Sequence, residues 1–158
     1  MTSTVNHILG DPVAQRLLTS RIPARLAYCW KDGTPRVVPI LFHWNGEEIV
    51  MCTPDRAPKL RALHDGDAVA VTIDSDEFPY KVLSVRGDVR LEPVSGVAAE
   101  YSAAVCRYFG AEGGAAWIAQ LPAGMKMWRI RVRPQEVRIL DFETRFPHGG
   151  RCKGLSGE

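Results

Sequence analysis

The chain has 158 residues, 46% hydrophobic and 24% charged, a composition that fits one soluble globular domain rather than a disordered or membrane-inserted chain. Its 20 Lys and Arg against 18 Asp and Glu leave a net charge of +2 spread along the sequence, so no basic stripe marks a nucleic-acid partner. Apolar runs are strand-sized and broken by Arg, Pro or Gly, short of the roughly 20 residues a membrane-spanning helix needs, and no N-terminal run resembles a signal peptide.

Asp11-Pro12 followed by Val13, Ala14, Leu17 and Leu18 reads as an N-cap, a first-turn proline and an apolar helical face, stopped before Pro23. Strand character runs from Ala24 to Trp30, Lys31-Asp32-Gly33 supplies a turn, and a second strand runs from Arg36 to Trp44. Asn45-Gly46 is the strongest short turn signal, leading into a third strand over Glu48 to Cys52. Lys59, Leu60 and Leu63 suit a short helix ending near Asp65-Gly66, and a fourth strand follows over Ala68 to Ile73. Lys81 to Glu92 is a long strand pattern in which Gly87 predicts a bend or bulge. Ser95 is expected to cap a helix reaching Phe109, with Gly113-Gly114 as its break and a shorter helical piece over Ala115 to Gln120. The last strand covers Lys126 to Leu140, with an interruption or an edge position at Pro134, which cannot donate to a ladder.

About six strands with short turns and a helical excursion before the last predict a mainly β fold with helical additions, a closed or nearly closed antiparallel barrel. One domain is expected over residues 1–145, with an N-terminal helix, and a polar, Gly-rich tail over 146–158. Neither a Rossmann nor a Walker glycine loop is present, so a nucleotide would have to be held in another way. Cys29, Cys52, Cys106 and Cys152 lack paired metal-ligand spacing and read as reduced thiols of a cytoplasmic protein. His7, His43, His64 and His148 show no ligand spacing either, and no metal is assigned.

The stretch from Thr34 to Arg61 gathers Arg36-Val37-Val38-Pro39, Cys52-Thr53 and Lys59-Leu60-Arg61 near strand ends and a helix start. Such a set suits phosphate: Arg offers a planar fork, Lys a mobile charge, Thr a short hydroxyl, and a helix start adds oriented N–H groups. No catalytic acid or base stands out.

These motifs resemble those of the pyridoxamine 5′-phosphate oxidase-like flavin-binding split β-barrels, over roughly Arg25 to Leu140. Asp32-Gly33, Arg36-Val37-Val38-Pro39-Ile40, Thr53 with Lys59 six residues on, Val85-Arg86-Gly87 and Trp128-Arg129-Ile130 carry the likeness. It departs at Leu41 and Pro58, where pyridoxamine phosphate oxidases carry Lys and Arg, which points away from a vitamin B6 substrate. The resemblance implies a six- or seven-stranded antiparallel split barrel and a homodimer with a flavin-like cofactor, FMN or a deazaflavin, at its interface. It implies hydride transfer with a small organic substrate, and a cofactor site drawn from Arg36, Val37, Val38, Pro39, Cys52, Thr53, Lys59, Leu60 and Trp128. Met127 and the Tyr101 to Trp117 excursion are candidates for the substrate side. Some relatives bind haem instead, which leaves open a non-catalytic carrier or sensor on the same barrel; a His would then be the axial ligand.

Overall fold

The computed structural model describes residues 3–145, so the tail from 146 on, with Cys152 and His148, lies outside the described residues. Chain order is α1 (Ser3–Leu9), α2 (Pro12–Leu18), β1 (Ala24–Cys29), β2 (Pro35–Ile40), β3 (Phe42–Trp44) and β4 (Ile49–Pro54), then a 3₁₀ turn (Pro58–Arg61). After it come β5 (Ala68–Asp74), β6 (Lys81–Ser95), α3 (Ala99–Phe109), α4 (Ala111–Ala119) and β7 (Lys126–Asp141).

All seven strands form one antiparallel sheet in the order β2-β1-β5-β6-β7-β4-β3. Its two edges are consecutive in sequence, since Leu41 alone separates β2 from β3. The sheet must therefore curl until both edges meet at that residue, giving a barrel joined there by one bent chain segment. The single second strand expected over Arg36 to Trp44 is thus two strands. Its first half pairs with β1 (Leu26 opposite Val38) and its second with β4 (Phe42 opposite Met51), and one straight strand cannot serve both partners.

Period-two alternation decides what goes inside. Leu26, Ile49, Met51, Val71, Ile73, Leu83, Val85, Ile130 and Val132 are almost fully buried and fill the barrel, joined by Val5 and Leu9 from α1 and by Val13, Leu17 and Leu18 from α2. Each such side chain contributes about 1.5–3 kcal/mol by leaving water. Asp11 caps α2 as expected, its carboxylate accepting from the Val13 amide at 2.8 Å.

The bend expected at Gly87 is a β-bulge: pairing of β6 with β7 shifts register between Arg86 and Gly87. Pro134 sits opposite Gly87 at this shift, so the missing N–H falls where the ladder is already irregular and β7 still runs between β6 and β4. A Cβ on Gly87 would stand 2.0 Å from the Arg133 carbonyl oxygen, so the two strands approach there only because the residue is glycine.

The helical excursion differs from expectation in two ways. Ser95 ends β6 instead of capping a helix, and α3 starts after Ala98, which makes no side-chain cap. The break falls at Gly110 (φ 83°), while Gly113 and Gly114 lie inside α4. Gly114 serves packing, because a Cβ there would lie 2.6 Å from Cα of Cys106 on α3. Arg107 ties the excursion down by donating to the Ser20 carbonyl at 2.8 Å and to the Phe42 carbonyl.

Candidate functional site

β4 alternates between two environments. Ile49, Met51 and Thr53 face the barrel, whereas Val50 and Cys52 face a second apolar cluster with Ala98, Met127 and Tyr101 beneath α3. At the end of the strand the barrel side becomes polar. Thr53 is only 3% exposed, and its hydroxyl lies 3.0 Å from Nζ of Lys59, which the 3₁₀ turn carries back over the strand end. Trp128 on β7 stands directly opposite Thr53, on the same face, and is half-buried.

Lys59 is half-buried and makes no ion pair among the described residues; the neutral Thr53 hydroxyl is its partner. Burial pushes its ammonium below the ordinary lysine value. A desolvated cation gains most from a counter-charge, so the electrostatics of this corner suit an anion. Thr53, Lys59 and Trp128 are the sequence-predicted residues that the fold brings together.

The others lie elsewhere. Arg36 and Val38 lie on the barrel face of β2, opposite Tyr28 and Leu26, and Val38 packs against the core. The exposed Arg36 guanidinium donates to the Thr34 hydroxyl at 2.6 Å and the Pro35 carbonyl at 3.1 Å, and stands 5.8 Å over the Trp30 ring. It makes no contact with Thr53 or Lys59 among these interactions. Val37, 62% exposed, and Pro39 face outward on the opposite side of β2. Leu60 packs into the core. Cys52 is sealed under α3, where burial and then the Glu100 charge push its thiol up to about 12, which makes it a buried apolar group at neutral pH. Met127 turns away from Trp128 into the same cluster.

Sequence reading missed what holds α3 in place. Arg129 donates to Glu100 on α3 at 2.9 Å and to Glu92 on β6 at 2.8 Å, and Arg131 reaches Glu48 at 2.7 Å and Glu92 at 3.1 Å. The hydrogen bond that Arg129 donates to Glu100 raises its guanidinium above the ordinary value. The arginines at 129, 131 and 133 alternate with apolar residues, which could have flagged a charged outer face of a strand. Their carboxylate partners lie 29 to 83 residues away, so the network itself has no local signature. Among the described residues no group of three or more His, Cys, Asp or Glu could hold a metal.

A family model described as pyridoxamine 5′-phosphate oxidase matches residues 11–141. Among solved structures, the chain is similar to one described as an F420 reductase, at 29% identity over 78% of this chain and 94% of that one, with a TM-score of 0.61. A conserved hypothetical protein from Mycobacterium tuberculosis shares the fold at 17% identity, covering 89% of this chain and 85% of that one, with a TM-score of 0.61. The haem storage protein of Vibrio cholerae does so at 18% identity, over 83% of this chain and 93% of that one, with a TM-score of 0.54. No functionally curated protein matches the sequence.

Proposed function

The chain belongs to the pyridoxamine 5′-phosphate oxidase family, and from that premise we propose that it is an oxidoreductase whose Thr53 and Lys59 hold the phosphate of a flavin or deazaflavin. The bound ring would exchange a hydride with a small organic substrate, while the protein supplies orientation and water exclusion. One observation carries this reading: Lys59 is a desolvated ammonium with a neutral partner, and a phosphate oxygen would complete it. Trp128, across the ladder from Thr53, is placed to pack against whatever that phosphate anchors.

Between the two cofactors, the 29%-identical structure described as an F420 reductase favours a deazaflavin. FMN, which presents a terminal phosphate monoester instead of a phosphodiester, stays as the comparison. A homodimer would use the outward face of β2-β1-β5-β6, where Val37, Ala27 and Ala70 line up with Arg86, and Thr72 and Ser84 line up with Arg25 in the next row. The exposed Val37 would gain most from cover, with Arg25 and Arg86 flanking the small side chains. Cys29, Cys52 and Cys106 are free thiols, in keeping with a cytoplasmic setting. No helix among the described residues is long and apolar enough to cross a membrane.

A non-catalytic haem carrier on the same barrel is the second reading, favoured by the half-buried His43 on β3, which a haem could use as an axial ligand. Native mass spectrometry of the purified protein with FMN, the deazaflavin and haem ranks these readings. Retention of a flavin or deazaflavin by the wild type and its loss from Lys59→Ala is the expected result. A Soret band that Lys59→Ala leaves intact would replace the oxidoreductase with the carrier.

A further inference from the structure

A cleft of about 400 Å³ opens between the end of β1 and the segment that follows the 3₁₀ turn, lined by Tyr28, Trp30, Lys31, Leu63, His64 and Asp67 among others. Its size falls in the range of small-molecule sites. Tyr28 is only 7% exposed, yet its phenol has no hydrogen-bond partner among the described residues. Among the described residues no fully sealed side-chain oxygen or nitrogen lacks a partner, so this hydroxyl must reach space that water can enter, and the cleft is the space Tyr28 lines. Inside the cleft this hydroxyl is free to donate to water or to a ligand that displaces it.

The other polar groups around the cleft match it. The Trp30 indole N–H is also without a partner, and the ring is held by the Arg36 guanidinium 5.8 Å from its centroid. Lys31 adds an unpaired ammonium at the rim. The Asp67 carboxylate is already engaged, accepting from the His64 amide at 2.7 Å and standing 3.5 Å from the His64 ring. The cleft therefore offers donors, the Lys31 charge, two aromatic walls and the Leu63 side chain, with the Oδ2 oxygen of its one carboxylate turned to His64. A ligand that satisfies this set is flat, apolar on its faces and negatively charged at one edge.

We infer that this cleft is a binding site for a small planar aromatic carboxylate, separate from the phosphate corner at Thr53 and Lys59. Its carboxylate would accept from Tyr28 and Trp30 with Lys31 nearby, and its ring would lie along the indole. The residues named come from one copy of the chain, and the site goes beyond the oxidoreductase reading, since it asks nothing of a bound flavin.

2-Naphthoate is the probe, titrated into the full-length protein while the four tryptophan indole N–H resonances are followed by ¹H–¹⁵N NMR. The Trp30 resonance should move saturably, the neutral 2-naphthamide should bind at least about threefold more weakly, and Tyr28→Phe and Lys31→Gln should each lower affinity about 3- to 10-fold, the scale of one hydrogen bond. Lys59→Ala should leave naphthoate affinity unchanged while abolishing flavin retention, so the two sites fail independently. A saturable shift absent from Trp30, a natively folded Tyr28→Phe that binds as the wild type does, equal binding of the amide, or loss of naphthoate binding in Lys59→Ala would each overturn the assignment.

Discussion

Replacing Lys59 with Met tests the phosphate corner most sharply, because apo stability and cofactor affinity should respond in different directions. In the apo protein Lys59 is a half-buried ammonium whose partner is the Thr53 hydroxyl at 3.0 Å, and burial lowers its folded-state pKa. The folded state therefore binds fewer protons than the unfolded state as pH approaches the ordinary lysine range from below. Wild-type stability should rise with pH across that interval, and the dependence should vanish in Lys59→Met. A neutral side chain of similar length removes the desolvation cost, so the variant's apo melting temperature should not fall; one kcal/mol would appear as about 2–4 °C in a chain of this size. Cofactor binding should behave oppositely. A hydrogen bond to a charged group contributes about 1.5–3 kcal/mol, so flavin or deazaflavin affinity should drop roughly 10- to 150-fold, as measured by cofactor fluorescence titration. Wild-type affinity should also weaken as pH rises and the ammonium is lost. Unchanged affinity in Lys59→Met, or an apo protein that is markedly less stable, would refute the reading of Lys59 as an anion anchor.

Gly87→Ala places a Cβ 2.0 Å from the Arg133 carbonyl oxygen, and forcing β6 from β7 there should cost about 3 kcal/mol in urea denaturation; a change under about 1 kcal/mol would mean the bulge can relax. Arg129→Ala removes the partner of Glu100 and one of the two arginines on Glu92, and should cost about 1–2 kcal/mol while raising hydrogen exchange in α3 ahead of β4. Brief alkylation followed by mass mapping should label the exposed Cys29 and spare Cys52, whose thiol is pushed up to about 12, until the protein unfolds. Ala70→Arg on the outward face should convert a dimer to a monomer in light scattering without lowering the melting temperature of the isolated chain by more than a few degrees.

Most strand positions could be read from the sequence because a half-buried strand writes its period of two directly, as in Lys81 to Val89, because a short apolar run such as Ile49 to Thr53 marks a strand buried on both faces, and because Asn45-Gly46 and Gly66 supply turns that need positive φ. The pairing of Thr53 with Lys59 was legible for the same reason: six residues across a strand end and one 3₁₀ turn are a local matter. Local signals failed where a distant partner decides. Leu41 divides one apparent strand because β1 and β4 claim its two halves, and Gly113-Gly114 looks like a breaker until Cys106 is seen to need the space of a missing side chain. The same limit applies to the site. Residue types on Thr34 to Arg61 indicated phosphate chemistry, but only the tertiary structure separated Thr53 and Lys59 from Arg36, which Thr34 and Trp30 engage at the hairpin end. It alone sealed Cys52 beneath α3 and left the Tyr28 phenol without a partner beside a cleft. Sequence determines which chemistry a segment can offer, since that depends on residue type and short spacing. Burial and partners are properties of contacts between segments far apart in the chain, so only the folded structure decides which of those groups is left desolvated and unsatisfied.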